Sequence, residues 1–283
     1  MVIFRSLLLG IMHSLSDANL QYMLLDRTSF KRFAGLHSLD QVPDQKTLWE
    51  YRDQLDKAGC IEELFAVFKE QLRAHGYELQ SGTIIDSSLV QSNRQRNSRE
   101  ENAIIKEGGV PADWEEHSAK RRQKDIDARW VRKNGVTSFG YKNHIAVDRE
   151  TKLITNWDVT PANIHDSQVF EVLVDAHPPP GHEVYADSAY RSVDGIKGLR
   201  GRKLKPRIIH KGKRGKALST RQKILNHGYS RVRCRVEHVF GSIRNDRPPR
   251  LLKCIGHGRA RVNIGLSNLC YNIKRFSYLK RSE

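Results

Sequence analysis

Three acidic residues stand where acids are not expected. Asp86 interrupts the β-branched run Thr-Ile-Ile-Asp-Ser-Ser-Leu-Val at residues 83–90, where aspartate is disfavoured and would lose its solvation. Asp187 closes the apolar stretch Val-Tyr-Ala-Asp, and Glu237 is the only acid between Asp194 and Asp246 in a strongly cationic segment. Brought together, three carboxylates make an oxygen-rich site suited to hard divalent cations such as Mg²⁺. Two such ions about 3.5–4 Å apart would clamp the attacking and leaving oxygens of a phosphodiester in line. Arg233 and Arg244 stand nearby in the sequence and would hold phosphates bidentately. Each acid also has a plainer reading: Asp86 as a buried hydrogen-bond acceptor, Asp187 as a helix N-cap, Glu237 as an ion-pair hub.

The elements that must position these residues follow from apolar spacing. Residues 83–90, 139–147, 153–159, 182–186 and 205–209 read as strands, the second and third joined by the turn-like Asp148-Arg149-Glu150-Thr151. Asp166 reads as the N-cap of a helix bearing Val169, Phe170 and Leu173. A long helix is expected from about Thr220 to Arg244, ended by Pro248-Pro249, and a last one over residues 258–278. Three strands in a meander, followed by strands alternating with helices, give an α/β chain with a mixed sheet. On one continuous helix, Arg233, Glu237 and Arg244 project within roughly 40° of one another at about 100° per residue. The apolar residues Leu225, Tyr229, Val232, Val236 and Ile243 lie to one side of that stripe. Such a helix packs on the sheet with its Arg-Glu-Arg edge facing the strand ends.

Upstream, residues 1–79 read as a small helical domain. Ile61, Leu64, Phe65, Phe68 and Leu72 form an amphipathic stripe between Gly59 and Gly76, with a cap expected at Ser16 and a further helix opened by Pro43-Asp44. The apolar opening at residues 1–12 is interrupted by Arg5 and is far short of the ~20 residues a membrane span needs, so it reads as a buried first helix. Residues 91–134 are polar, an excursion whose run from Lys120 to Lys133 reads as solvated charge. The remainder, residues 80–283, forms the second domain.

Charge is unevenly spread. The chain has 283 residues and a formal net charge of +17, with pI near 9.9 and mean hydropathy −0.61. Residues 191–283 hold 26 basic side chains against four acids, whereas residues 1–190 are net acidic by five. That polarity points to a polyanionic partner. Cys60, Cys234, Cys254 and Cys270 form no CxxC pair and suit a reducing cytoplasm. Twelve histidines include no HExxH. Trp114 and Trp130 flank the basic middle stretch, either to stack on unpaired bases or to anchor the excursion; Lys142 is a lesser candidate for DNA contact.

The motifs in order resemble the DDE transposases of bacterial insertion sequences, of the IS-five-like group within the larger IS-four superfamily. Leu15-Ser-Asp17, Phe30-Lys-Arg-Phe33-Ala-Gly-Leu36 and Pro43-Asp44-x-x-Thr47-Leu-Trp49-x-x-Arg52 are similar to the group's helical N-terminal domain. Asp86 in Ile-Ile-Asp-Ser matches the first catalytic acid, and Tyr185-Ala-Asp187-Ser-Ala-Tyr190 the second. Gln123-Lys-Asp-x-Asp-Ala-Arg129, Gly140-Tyr-Lys-Asn-His144 and Thr160-Pro-Ala-Asn-x-His-Asp166 resemble its middle landmarks. Arg233-Cys-Arg-Val-Glu237 matches the third acid within a Tyr, Arg, Glu, Lys signature, whose final Lys is Arg244 here. Its Tyr corresponds to Tyr229, one residue further from Arg233 than the usual pattern, where core packing suits it better.

The resemblance implies a ribonuclease-H-like catalytic domain after the helical one, the latter serving DNA-end recognition or dimerisation. Asp86, Asp187 and Glu237 would hold two Mg²⁺ ions, with Mn²⁺ as a substitute, for cleavage at element ends and transfer of the 3′-hydroxyl into target DNA. The implied partners are double-stranded DNA, as terminal inverted repeats and as target, and further copies of the chain in a synaptic homo-oligomer. No membrane is implied; the expected place is the bacterial cytoplasm, on the nucleoid when DNA is bound. Two rivals stay open: a metal-dependent nuclease on the same fold, and a DNA-binding copy that has decayed or been repurposed.

Overall fold

The computed structural model describes residues 1–38, 41–77, 82–133, 135–174, 178–212, 215, 217–245 and 251–281. The chain opens with helices α1 (Val2–Met12), α2 (Asp17–Asp26), α3 (Thr28–Ala34), α4 (Gln45–Ala58) and α5 (Ile61–Ala74). Ser16 and Asp44 cap α2 and α4 through their side chains, and Gly35 and Gly59 end α3 and α4 in the left-handed conformation that glycine adopts without a Cβ clash. The first helix is buried through Leu7, Leu8 and Leu9. Among the described residues no helix is long and apolar enough to cross a membrane.

The sheet follows. β1 (Gly82–Ser92) lies at its centre; next come α6 (Arg99–Lys106), α7 (Ala112–Glu116), α8 (Ser118–Arg122), β2 (Arg129–Lys133), β3 (Val136–Asp148) and β4 (Ile154–Pro161). The second half holds α9 (Phe170–Leu173), β5 (Glu183–Ala186), α10 (Val193–Gly201), β6 (Lys205–Ile208), α11 (Thr220–Arg233), α12 (Arg235–Asn245), β7 (Leu251–Leu252) and α13 (His257–Leu279). β3 is antiparallel to β1 and to β4, whereas β5 is parallel to β1 and β6 parallel to β5. The principal order β4-β3-β1-β5-β6 is the ribonuclease-H-like mixed sheet the resemblance implies. One face packs on α9 and α10 through Ile85, Ala146, Val184 and Leu199; the other packs on α12 and α13 through Ile84, Ile145, Val236 and Leu266.

Three sequence expectations change. The helix expected from Thr220 to Arg244 is two helices: at Cys234 the ladder tightens, Glu237 N donating to Cys234 O only three residues back at 3.1 Å, and the α-helical pattern is interrupted there. Pro248-Pro249 lies outside the described residues. The polar stretch, over its described residues 91–133, is a folded lobe, not merely solvated charge. Trp114 is fully buried and donates from Nε1 to Glu101 Oε1 at 2.7 Å, which settles it as an anchor rather than a stacking platform. The Ser98 N–H and then Trp114 hold the Glu101 carboxyl down at about 2. Trp130 is partly exposed on β2, its ring 5.1 Å from that of Phe139. Finally, His165, not Asp166, caps the turn before α9, because Asp166 is engaged elsewhere.

Candidate active site

Register decides where the first two acids go. The last paired residues of β1 and β5 are Ile85 and Ala186, side by side, and the next residue on each parallel strand is an aspartate. Side chains alternate between faces along a strand. Ile84 and Tyr185 enter the core under α12, while Ile85 and Ala186 enter the opposite core. Asp86 and Asp187 therefore emerge together on the α12 face; a slip of one residue would have sent either to the other side. On α12, Val236, Val239 and Phe240 are buried against the sheet. Glu237 lies between them in the first turn, 58% exposed, where the helix dipole favours a carboxylate.

The electrostatics show three acids in one field. Asp86 Oδ1 accepts from Ser87 N at 2.9 Å and Oδ2 from Arg233 Nη1 at 2.5 Å. Burial pushes the Asp86 carboxyl up to about 6. Glu237 and Asp187 push the same way, and Arg233 and the Ser87 N–H oppose them. Arg233 Nη1 also stands 3.9 Å from Glu237 Oε1, bridging two of the acids. Its Nε is buried with no hydrogen-bond partner. Asp187 accepts from Ser188 N at 2.6 Å and caps the 3-10 turn Ser188–Tyr190, so its plainer reading and its place in the site coexist.

The donor set fits a hard divalent cation: two adjacent carboxylates, one largely desolvated, with a third within charge range. Asp86, Asp187 and Glu237 are the residues that would hold it. As placed, no three His, Cys, Asp or Glu side chains among the described residues close round a single ion; the Arg233 guanidinium supplies the positive charge between Asp86 and Glu237.

The other expected residues divide. Arg244 is exposed on the last turn of α12, on Glu237's side and roughly 10 Å further along the axis; it does not join the acid cluster. Tyr229 packs against the core, edge-to-face on Tyr185 with ring centroids 6.2 Å apart. Lys142 is committed to Asp166 at 2.8 Å, on the sheet face away from the three acids. Sequence reasoning passed over that pair because 24 residues separate its members; the only signal was that each sits in a family-like motif.

Sheet order and site together define a ribonuclease-H-like protein with one acid inside its central strand β1 and another just past the end of the parallel neighbour β5. The chain belongs to the transposase DDE domain family, whose match spans residues 77–273, and the transposase domain DUF772 matches residues 1–54. It is 30% identical over 197 residues to the transposase for insertion sequence element IS1106 of Neisseria meningitidis serogroup B. That match covers 68% of this chain and 65% of the relative, so the chain spans about two thirds of that relative's length. Among solved structures, the piggyBac transposase in a synaptic complex with hairpin DNA overlays 99% of this chain and 66% of its own, at 10% identity and a TM-score of 0.46.

Proposed function

We propose that the protein is an insertion-sequence transposase that cuts DNA at element ends and joins the freed 3′-hydroxyl to target DNA at the Asp86, Asp187 and Glu237 site. The observation that supports this most is the pairing of Asp86 with Asp187 on one sheet face, with Glu237 close enough to raise the Asp86 carboxyl. Bound divalent ions, two Mg²⁺ with Mn²⁺ as substitute, would supply activation of the attacking oxygen and stabilisation of the leaving one. The chain's own part is to hold and to exclude. Asp86 inside β1 and Asp187 at the end of β5 offer oxygens at fixed positions, and Glu237 closes the site from the helix. Arg233, with donors to spare, turns from the carboxylates to a phosphate oxygen as substrate enters. Arg244 and the exposed Arg221, Lys223 and Arg231 of α11 track the duplex backbone. DNA ends and target are the partners, bound by a homo-oligomer in a synaptic complex in the bacterial cytoplasm, on the nucleoid. The helical residues 1–79 serve end recognition or dimerisation, and residues 80–283 catalysis.

The test is a Mg²⁺-dependent cleavage and joining assay on the element's terminal DNA, comparing the wild type with Glu237→Gln. We expect both products from the wild type, and a loss of at least 10²-fold in the variant with DNA binding retained. Cutting without joining would favour a nuclease; binding without cutting, in both proteins, would sink the active-transposase reading and leave a repurposed DNA-binding copy.

A further inference from the structure

Behind the acids, on the α9 face of the sheet, lies a second set of polar side chains, His144 and Tyr190 buried and Ser87, Lys142 and Asp166 half-buried. Lys142 and His144 alternate on β3, and Ser87 of β1 lies opposite His144. Lys142 Nζ donates to Ile164 O at 2.6 Å and to Asp166 Oδ1 at 2.8 Å. Burial pushes the Asp166 carboxyl up, but the bonded Lys142 ammonium outweighs it and holds the group below its usual range, with the Ser87 hydroxyl helping. His144 has no exposed surface; Nε2 meets Thr160 Oγ1 at 2.9 Å, and Nδ1, without a hydrogen-bond partner, stands 4.0 Å from Asp166 Oδ1. Tyr190 is 1% exposed, its hydroxyl beside Ser87 but without a well-formed hydrogen bond.

A cluster of this kind is costly. Burying a neutral imidazole and a phenol and half-burying an ion pair cost desolvation that apolar residues would avoid. One turn deeper on the same face, Ile85, Ala146 and Val184 make an ordinary apolar core. What separates the polar members is their attachment to the site. Ser87 follows Asp86 directly and donates its N–H to it. Tyr190 ends the turn that Asp187 begins, its N–H donating to Asp187 O at 3.1 Å. Behind the sheet, Asp166 is paired with Lys142, lies against the Ser87 hydroxyl and stands within charge range of the Tyr190 phenol.

We propose that Lys142, Asp166 and Tyr190 are positioning residues which, acting through Ser87 and the turn Ser188–Tyr190, fix the separation of the Asp86 and Asp187 carboxylates at which the pair takes up a divalent cation. This rests on the three-carboxylate reading of the site. A merely structural cluster would give up stability when altered; a positioning cluster gives up cation affinity out of proportion to stability.

The experiment uses the full chain and Mn²⁺ as probe, followed by calorimetry and by its electron paramagnetic resonance signal. Wild type, Asp86→Asn, Asp166→Asn, Asp166→Glu and Tyr190→Phe are compared, with melting temperature and binding to an end-sequence duplex in EDTA measured alongside. We expect Mn²⁺ affinity to fall about tenfold or more in Asp166→Asn and measurably in Tyr190→Phe. Asp166→Glu should recover part of the loss, and duplex binding should be unchanged in the Asp166 and Tyr190 variants. Unchanged Mn²⁺ affinity in both variants overturns the inference and leaves the site reading standing. So does a loss that only parallels a fall in melting temperature and duplex binding. A wild type whose Mn²⁺ uptake equals that of Asp86→Asn sinks the site reading, and this inference with it.

Discussion

Asp86 is ionised only against its surroundings. Its carboxyl ordinarily releases a proton near 3.8 and in the fold is pushed up to about 6, chiefly by burial. Between those values the folded chain binds a proton that the unfolded chain has lost, so stability falls as pH rises from about 4 to 6 and stays lowered above that. A shift of about two pH units corresponds to a ceiling of about 3 kcal/mol. Part of that is offset in any variant that deprives Arg233 of its partner. In the absence of divalent ions, Asp86→Asn should therefore melt above the wild type at pH 8, the two converging toward pH 4; a variant that melts lower at pH 8 would contradict the burial argument. The same substitution should abolish cleavage, a trade of stability for function common at strained sites. His144 responds in the opposite sense. Burial lowers its imidazole to about 4 against an ordinary 6.5, so folded stability is intact above about 6.5 and declines as pH falls from there toward 4.

The elements hold these residues through close packing as much as through hydrogen bonds. The last helix, α13, carries Gly265 where a Cβ would lie 2.6 Å from Ile61 Cγ1 and 2.7 Å from Trp157 Cη2, so the helix can approach α5 and β4 only without a side chain there. Gly265→Ala should cost on the order of 1–3 kcal/mol, read as a lower urea midpoint with an unchanged m-value; a neutral result would mean that α13 shifts freely. The same helix buries Asn268 and Asn272. Asn268 exchanges two amide hydrogen bonds with Asn143 of β3, at 2.8 and 3.1 Å, and Asn272 Oδ1 accepts from Ile154 N of β4 at 2.8 Å. These polar contacts fix the rotation and height of α13 on the sheet, because any shift leaves a buried amide unpaired. The strands were legible from their β-branched runs. β2 was not: Arg129–Lys133 carries three cations and reads as solvated, yet it pairs along β3 from Arg129↔Gly140 to Lys133↔Val136.

At the scale of the molecule, the N-terminal helices and the central sheet share one apolar core. Leu7 and Leu8 of α1, Leu48 of α4 and Phe65 of α5 belong to the same cluster as Val262, Leu266 and Leu269 of α13 and Ile84 of β1. Ion pairs cross the same boundary: Arg259 to Asp53 at 2.7 Å, and Arg261 to Glu62, with Arg261 also held by Asp158 of β4. A helical unit so joined has little independent stability to lose. We expect one cooperative thermal transition, with calorimetric and van't Hoff enthalpies equal within error; two resolved transitions would show that the helices melt apart from the sheet.

Residue type and order along the chain determined much of this. An aspartate inside an apolar strand, another at a strand end and a lone glutamate among cations are anomalies of local solvation, and such anomalies are visible without a fold. Strand and helix periodicity likewise reports which face is buried. Tertiary structure alone decided what lies opposite what. Whether Asp86 and Asp187 share a face depends on a parallel register between segments about 100 residues apart. The Cys234 break that sets Arg233 on one helix and Glu237 on the next depends on how α11 and α12 each find the sheet. The pairing of Lys142 with Asp166 behind the site depends on a strand and a turn meeting across the sheet face. No periodicity encodes such encounters, because their energy lies in contacts between distant segments rather than in any one of them.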